Sequence, residues 1–507
     1  METSGLKEAT PGGVQGYLPA LRNLAKSSAI YALGSIGAPL ISLVLAPFIT
    51  QHLSVADYGV LAVLVTFIGL GAGVTQLGLN SAFFRTYNFD FTSAADRRSI
   101  LATVYILLLL AAIPLIIVTF MLPDAVSTLL LGRASFARLI PLVAMSILLQ
   151  NLTVPVLAWL RAENRALLFT ITSISNLVVN AIVTIVCIGL LHLGIAGALV
   201  GMMSGSACIV ICTGPLILWY SRIKLRLDIA RNLLAFGLPL VASFLASWVL
   251  QLSDRFLLSH LGTYAETASY AVAYNLGSVI STLIIGPFTL AWPTAMFTIA
   301  RERDAAQTFK MVFRWFGFLL LVAAFALSLA ATAVLYVFFP TSYHSAALVI
   351  PVVAESIAFS GIYYMFMVGA NIKRKTWLTA IFTAVAASAN FGLNLVLIPA
   401  YGAMGAAIAT FVAYALLTLL AYIVNQRIYP IPFEVGRFLV ALLAGCCIYG
   451  TCYFITANVR GLWIGLLWAC GFLTYLLLLI LLGRINVLRI FRHNDGHFPL
   501  PRRDSAQ

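Results

Sequence analysis

From about residue 27 to residue 482 the chain is a succession of apolar runs of about 20 residues or more, separated by short polar turns. A bilayer core about 30 Å thick takes about 20 apolar residues per helix. Backbone groups inside that core must be satisfied within the protein, so runs of this length can fold only as membrane-spanning helices. The runs fall near 27–50, 58–82, 99–122, 136–160, 167–190, 196–220, 233–259, 268–297, 311–338, 345–370, 378–398, 403–424, 438–456 and 462–482. The chain is therefore expected to be an all-α integral membrane protein of about fourteen helices, with connections too short for a separate soluble domain. Composition agrees: 507 residues, 62% hydrophobic, 9% charged and a mean hydropathy of +1.02 exclude a soluble globule.

A net charge of +14 could suggest nucleic acid, but the cations are dealt out among loops and form no groove-like patch. They report topology instead. With the N-terminus placed in the cytoplasm, 26 of the 30 Lys and Arg lie on that side, Arg133, Arg138 and Arg460 lie opposite, and Arg255 lies within a span. Both termini are then cytoplasmic. Residues 1–26 lack the apolar core of a signal peptide, and the first run is long enough to remain as an anchor. The seven cysteines lie in apolar segments without metal-ligand spacing and read as small core residues. His52, His192, His260 and His344 fall in outer turns, either as solvated turn residues or as a pH-sensing ring.

An internal repeat divides the chain. Asn176-Leu-Val-Val-Asn180 followed by Leu193-Gly-Ile-Ala-Gly-Ala198 is matched by Asn390-Phe-Gly-Leu-Asn394 followed by Tyr401-Gly-Ala-Met-Gly-Ala406. Tyr58-Gly-Val-Leu-Ala-Val63 is likewise matched by Tyr270-Ala-Val-Ala-Tyr274. The copies are six spans apart, so they have parallel topology about an axis along the membrane normal. The expected organisation is a cytoplasmic segment (1–26), an N-lobe of spans 1–6 (27–220) and a C-lobe of spans 7–12 (233–424). Spans 13 and 14 (438–482) are peripheral, and a cytoplasmic tail (483–507) follows.

The seventh span holds the adjacent charges Asp254 and Arg255, and Ser243, Ser247, Gln251 and Asp254 fall on one helical face. Ionisable residues inside a span are costly and mark functional sites by default. The pair can also simply neutralise itself near the interface and hold the turn. Glu355 lies about 16 Å of helix rise into the tenth span, near mid-bilayer, where it is either a proton carrier or a protonated acid bonded to a neighbouring helix. Asn275 is expected at the depth of Gln251, as a substrate contact or a helix-to-helix link. Arg85, Arg161, Arg165, Arg314 and Lys373–Lys375 form a basic inner rim. Positive-inside topology and anionic headgroups account for such a rim, and so does capture of a phosphate-bearing lipid. No Gly-x-x-x-x-Gly-Lys loop is present, no enzyme constellation emerges, and no cofactor is expected.

Three motifs, Leu53-Ser-Val-Ala-Asp-Tyr-Gly59, Leu77-Gly-Leu-Asn-Ser-Ala-Phe-Phe-Arg85 and Ser253-Asp-Arg-Phe256, together with the six-plus-six repeat, carry a resemblance over nearly the whole chain. It resembles the polysaccharide transporters of the multidrug/oligosaccharidyl-lipid/polysaccharide (MOP) superfamily, in particular the Wzx-type lipid-linked oligosaccharide flippases. The resemblance implies a V-shaped two-lobe fold and transfer of undecaprenyl-diphosphate-linked sugar units across a bacterial inner membrane by alternating access, coupled to an ion gradient. It also implies membrane lipids and a polysaccharide polymerase or export complex as partners. A multidrug antiporter of MATE type would share the fold, but spans 1–6 lack a clear mid-membrane acid. A peptidoglycan-precursor flippase stays as the nearer alternative.

Overall fold

The computed structural model describes Gly37 and residues 41–91, 93–221, 225–456 and 462–484. Among these, twelve helices are long and apolar enough to cross a membrane, and a shorter apolar helix, Ile41–His52, is the described end of the first span. We number them α1 (Ile41–His52), α2 (Val55–Asp90), α3 (Ala94–Met121), α4 (Ile140–Ala162), α5 (Ala166–Leu190), α6 (Gly194–Ser221) and α7 (Leu227–Leu261). Next come α8 (Tyr264–Ile299), α9 (Ala305–Phe338) and α10 (Ala346–Ile372). The 52-residue apolar helix Trp377–Ile428 breaks at Gly402 and provides α11 (377–401) and α12 (403–428). The peripheral pair is α13 (Val435–Thr456) and α14 (Leu462–Arg484). The segments expected at 1–26 and in the tail beyond 484 lie outside the described residues.

Gly402 is a hairpin and not a mild kink. Its φ of 54° and ψ of −130° are a backbone state open to glycine, and a Cβ there would fall 2.1 Å from Glu266 Oε1. Asn390 Nδ2 donates to Thr410 Oγ1 at 3.4 Å across this turn. Twenty residues of straight helix would separate them by about 30 Å. The turn between α5 and α6 repeats the device at Gly194, φ 59°. A Cβ on Gly201 would meet Thr184 Oγ1 at 1.9 Å, and one on Gly205 would meet Asn176 O at 2.5 Å. Lipid tails give little hydrophobic drive for helix association, so close backbone approach has to hold these hairpins.

The structure departs from the expected boundaries in two instructive places. α2 does not stop near 82 but turns at Leu77 and Gly78, φ 51° and 67°, and resumes to Asp90. α7 begins at Leu227, before the expected 233, because Arg226 pairs with both Asp96 and Asp228 and fixes the first turn. At the other end of α7, Thr263 and Glu266 form a capping box that starts α8.

α2 is the common wall between the lobes. At its Val55 end a Cβ on Gly59 would sit 2.0 Å from Tyr264 O. In the middle Trp248 Nε1 donates to Thr66 O at 3.3 Å. Toward its other end Gly78 and Gly237 meet backbone to backbone, with Gly237 Cβ placed 2.3 Å from Leu77 O. The lobes therefore touch at both ends of α2. α13 and α14 pack on α9, where Phe325 stacks on Tyr475 at 5.0 Å.

Candidate functional site

Asp254 is fully buried and bonded by three helices besides its own. Tyr270 of α8 donates to Oδ2 at 2.5 Å, Thr410 of α12 donates to Oδ2 at 2.7 Å, and Asn394 of α11 donates to Oδ1 at 2.6 Å. Asn394 is steadied in turn by Asn390 Oδ1 at 3.1 Å. Charge-assisted hydrogen bonds to both oxygens offset the cost of burying a carboxylate in a bilayer. Asn394 Oδ1 is buried without a partner, so the hub holds an unused acceptor beside the carboxylate. Five oxygen-bearing side chains converge here, a donor set suited to a proton or a hard cation.

Arg255, the next residue, points elsewhere. It lines a cavity of about 260 Å³ between the lobes, whose mainly apolar wall (Leu45, Ile49, Leu61 and Met202 among others) also carries Ser42, Tyr58, Asn180, Thr184 and Asn275. Its guanidinium lies over the Tyr274 ring at 4.8 Å, and among the described residues no carboxylate lies within 4.0 Å of it. Successive helical residues are about 100° apart, so two neighbours can serve two compartments. The N-lobe wall of this cavity is built from the repeat counterparts of the residues that form the Asp254 hub in the C-lobe. Ser42 stands sixteen residues before Tyr58, as Asp254 does before Tyr270. Asn180 corresponds to Asn394 through the repeated Asn-x-x-x-Asn. Where the C-lobe has an acid and a closed network, the N-lobe has a serine and open space.

The other candidates are scattered. Asn275 borders the same cavity and reaches Tyr58 OH at 3.5 Å. Gln251 opens into a different cavity within the C-lobe. Glu355 lines neither cavity; its Oε2 is buried without a partner, within electrostatic reach of Cys446 on α13 and Tyr475 on α14. Arg85 is exposed, near Asp90 at 4.0 Å and over Phe236. Arg161 binds Asn80 Oδ1 at 3.1 Å, and Arg165 covers Trp159. Arg314 is committed: its fork takes Glu434 at 2.5 and 2.7 Å, so it joins α9 to the start of α13 and presents no free fork to a diphosphate. Tyr270, Asn390, Asn394 and Thr410 were not among the sequence-derived site residues. The Asn-x-x-x-Asn repeat was the available signal, since two amides one turn apart share a helix face.

A family model described as a polysaccharide biosynthesis protein matches residues 48–348. The chain belongs to the polysaccharide biosynthesis protein family. No curated protein matches this family member by sequence. Its fold is similar to that of the lipid II flippase MurJ in an inward closed conformation, with a TM-score of 0.67 at 16% identity over 92% of this chain and 100% of that one. An inward-facing multidrug resistance MATE family transporter of the MOP superfamily gives 0.55 at 14% identity, covering 80% and 97%. The Vibrio cholerae MATE transporter VcmN in its bent form gives 0.52 at 16%, covering 82% and 98%. The polysaccharide biosynthesis chain is thus a multi-pass membrane protein with the fold of MOP-superfamily flippases and transporters.

Proposed function

We propose that the chain is a flippase for undecaprenyl-diphosphate-linked oligosaccharide repeat units. It moves them from the cytoplasmic to the periplasmic face of a bacterial inner membrane for surface polysaccharide or O-antigen synthesis. Arg255 carries this reading: a guanidinium without a carboxylate partner, held in a largely apolar cavity between two lobes where it is the one charged group of the described lining, matches a diphosphate. The same charge would repel the organic cations that a multidrug antiporter moves. The family match supports a polysaccharide precursor over other anionic lipids. The Asp254 hub is the coupling-ion site on this reading, joined through one helix to the substrate cavity. Both termini are cytoplasmic, from the 26 to 3 bias of cations between loops.

A peptidoglycan-precursor flippase is the second reading, favoured by the MurJ likeness and served by the same diphosphate chemistry. Depleting the chain from cells separates the readings. Accumulation of lipid-linked repeat units with loss of surface polysaccharide supports the proposal. Lysis with accumulated peptidoglycan precursor favours the second reading, and hypersensitivity to cationic drugs alone overturns both.

A further inference from the structure

The C-lobe contains a second cavity, of about 460 Å³, enclosed by α7, α8, α10, α11 and α12. That volume falls within the range of about 300–1,000 Å³ usual for small-molecule sites. Its lining is unusual for the interior of a membrane bundle. Twelve of sixteen lining residues are Ser, Thr, Tyr or Gln, and none is charged. Gln251, Ser281, Ser360, Thr379 and Thr383 offer hydroxyl and amide groups from four helices, and Tyr274, Tyr363, Tyr364 and Tyr414 add aromatic faces. Packing alone needs none of this, because buried polar groups cost free energy unless they are paired.

One of these groups is only weakly satisfied. Tyr363 is 7% exposed, and its hydroxyl finds no partner at hydrogen-bonding geometry although Thr379 and Thr383 stand beside it. A buried hydroxyl held only loosely in a hydroxyl-lined space is a group that a ligand can satisfy. The cavity also adjoins the diphosphate site. Tyr274 is part of its wall, and the Arg255 guanidinium rests on the same ring at 4.8 Å.

We propose that this cavity takes the glycan of the lipid-linked substrate. Hydroxyl and amide groups meet sugar hydroxyls, which both donate and accept, and tyrosine rings cover the apolar faces of pyranoses while keeping a polar tip. With the diphosphate on Arg255, the first sugar crosses Tyr274 and the following residues enter the C-lobe. The lining has no cation to pair a carboxylate, so the glycan is uncharged; a uronic acid here would be buried unpaired. This inference rests on the flippase reading and adds to it the chemical class of the sugar.

The test uses the purified full chain and three synthetic probes: undecaprenyl diphosphate alone, the same lipid bearing a neutral trisaccharide, and one bearing a trisaccharide with a uronic acid. Dissociation constants are compared for wild type, Tyr363→Phe and Tyr363→Phe/Gln251→Leu, with thermal melting as the folding control. Wild type is expected to prefer the neutral glycan lipid over the bare lipid by at least about tenfold. Tyr363→Phe should lose most of that preference, keep its affinity for the bare lipid and melt no lower than wild type. A purely structural hydroxyl would not divide the readouts in this way. Equal wild-type affinity for the bare and neutral lipids, a preference for the acidic glycan, or an intact preference in the double variant overturns the glycan site. Failure of wild type to bind any probe overturns the flippase reading and this inference with it.

Discussion

Asp254 and Arg255 are adjacent on α7 yet face different compartments, the carboxylate into a closed hub of four helices and the guanidinium into the cavity between the lobes. On the flippase reading, one helix thereby joins the hub to the proposed substrate site. Tyr270, Asn394 and Thr410 hold the carboxylate from α8, α11 and α12, so on the proposed reading an ion at Asp254 would act on the bonds that seat α7 in the C-lobe. α7 also supplies Gly237, whose backbone meets α2 at Leu77 and Gly78, one end of the lobe interface.

The first prediction separates Asp254 from Glu355. Asp254→Asn keeps the size of the hub but removes the titratable anion, and should abolish the stimulation of transport by an ion gradient. Glu355→Gln should keep that stimulation, because Glu355 faces α13 and α14 and lines neither cavity. Transport in proteoliposomes with and without a gradient decides it. Gradient dependence lost with Glu355→Gln and kept with Asp254→Asn would reverse the assignment.

A second prediction concerns the inner contact between lobes. A Cβ on residue 237 would lie 2.3 Å from Leu77 O, closer than any real contact, so Gly237→Ala must hold α2 and α7 apart. The substrate cavity should then stay open to the inner side. A cysteine placed at Asn275, in a background cleared of reactive native thiols, should label several-fold faster from that side when Gly237→Ala is present. Equal labelling rates would show that this contact is not a gate.

The third concerns the junction of α13 with α9. Burial alone raises the Glu434 carboxyl, but hydrogen bonding and charge from Arg314, with Lys310 and Arg437, outweigh it and hold the group below its ordinary value. A carboxyl lowered in the folded state contributes stability that is present above its unfolded value, about 4.3, and disappears as the pH falls through the folded one. Glu434→Gln should cost on the order of 3 kcal/mol at pH 7, since three cations lose their shared anion. The gap in melting temperature between wild type and variant should close as the pH falls below about 4. A gap that does not change with pH would assign the loss to packing.

Much of this was legible in the sequence, for a physical reason. Span number, helix class and the six-plus-six repeat follow from hydrocarbon thickness and from motifs such as Tyr401-Gly-Ala-Met-Gly-Ala406, whose first glycine does make the hairpin. The bend in α2 was not legible, because Leu77 carries no turn signature and Gly78 resembles the packing glycines around it. The site was legible only in part. Asp254, Arg255 and Asn275 stand out as polar groups in apolar helices, but sequence spacing cannot say that adjacent charges diverge. Nor can it say that Arg314 finds Glu434, 120 residues away. Asn394 and Thr410 look like ordinary helix-packing residues until the hairpin at Gly402 brings them to one carboxylate.

The central claim is that Arg255 holds the diphosphate of a lipid-linked glycan while the lobes exchange access. The direct measurement reconstitutes the chain in liposomes and follows transfer of a fluorescent undecaprenyl-diphosphate oligosaccharide between leaflets, with a lipophilic organic cation as control. Wild type should move the glycan lipid and not the cation. Arg255→Gln, folded normally by thermal melting, should be slower by at least about tenfold, the loss of one charge-assisted contact. Arg255→Lys should retain part of the rate, because it keeps the charge but not the fork. A wild type that leaves the glycan lipid in place, or an Arg255→Gln variant that flips it at the wild-type rate, would contradict the account.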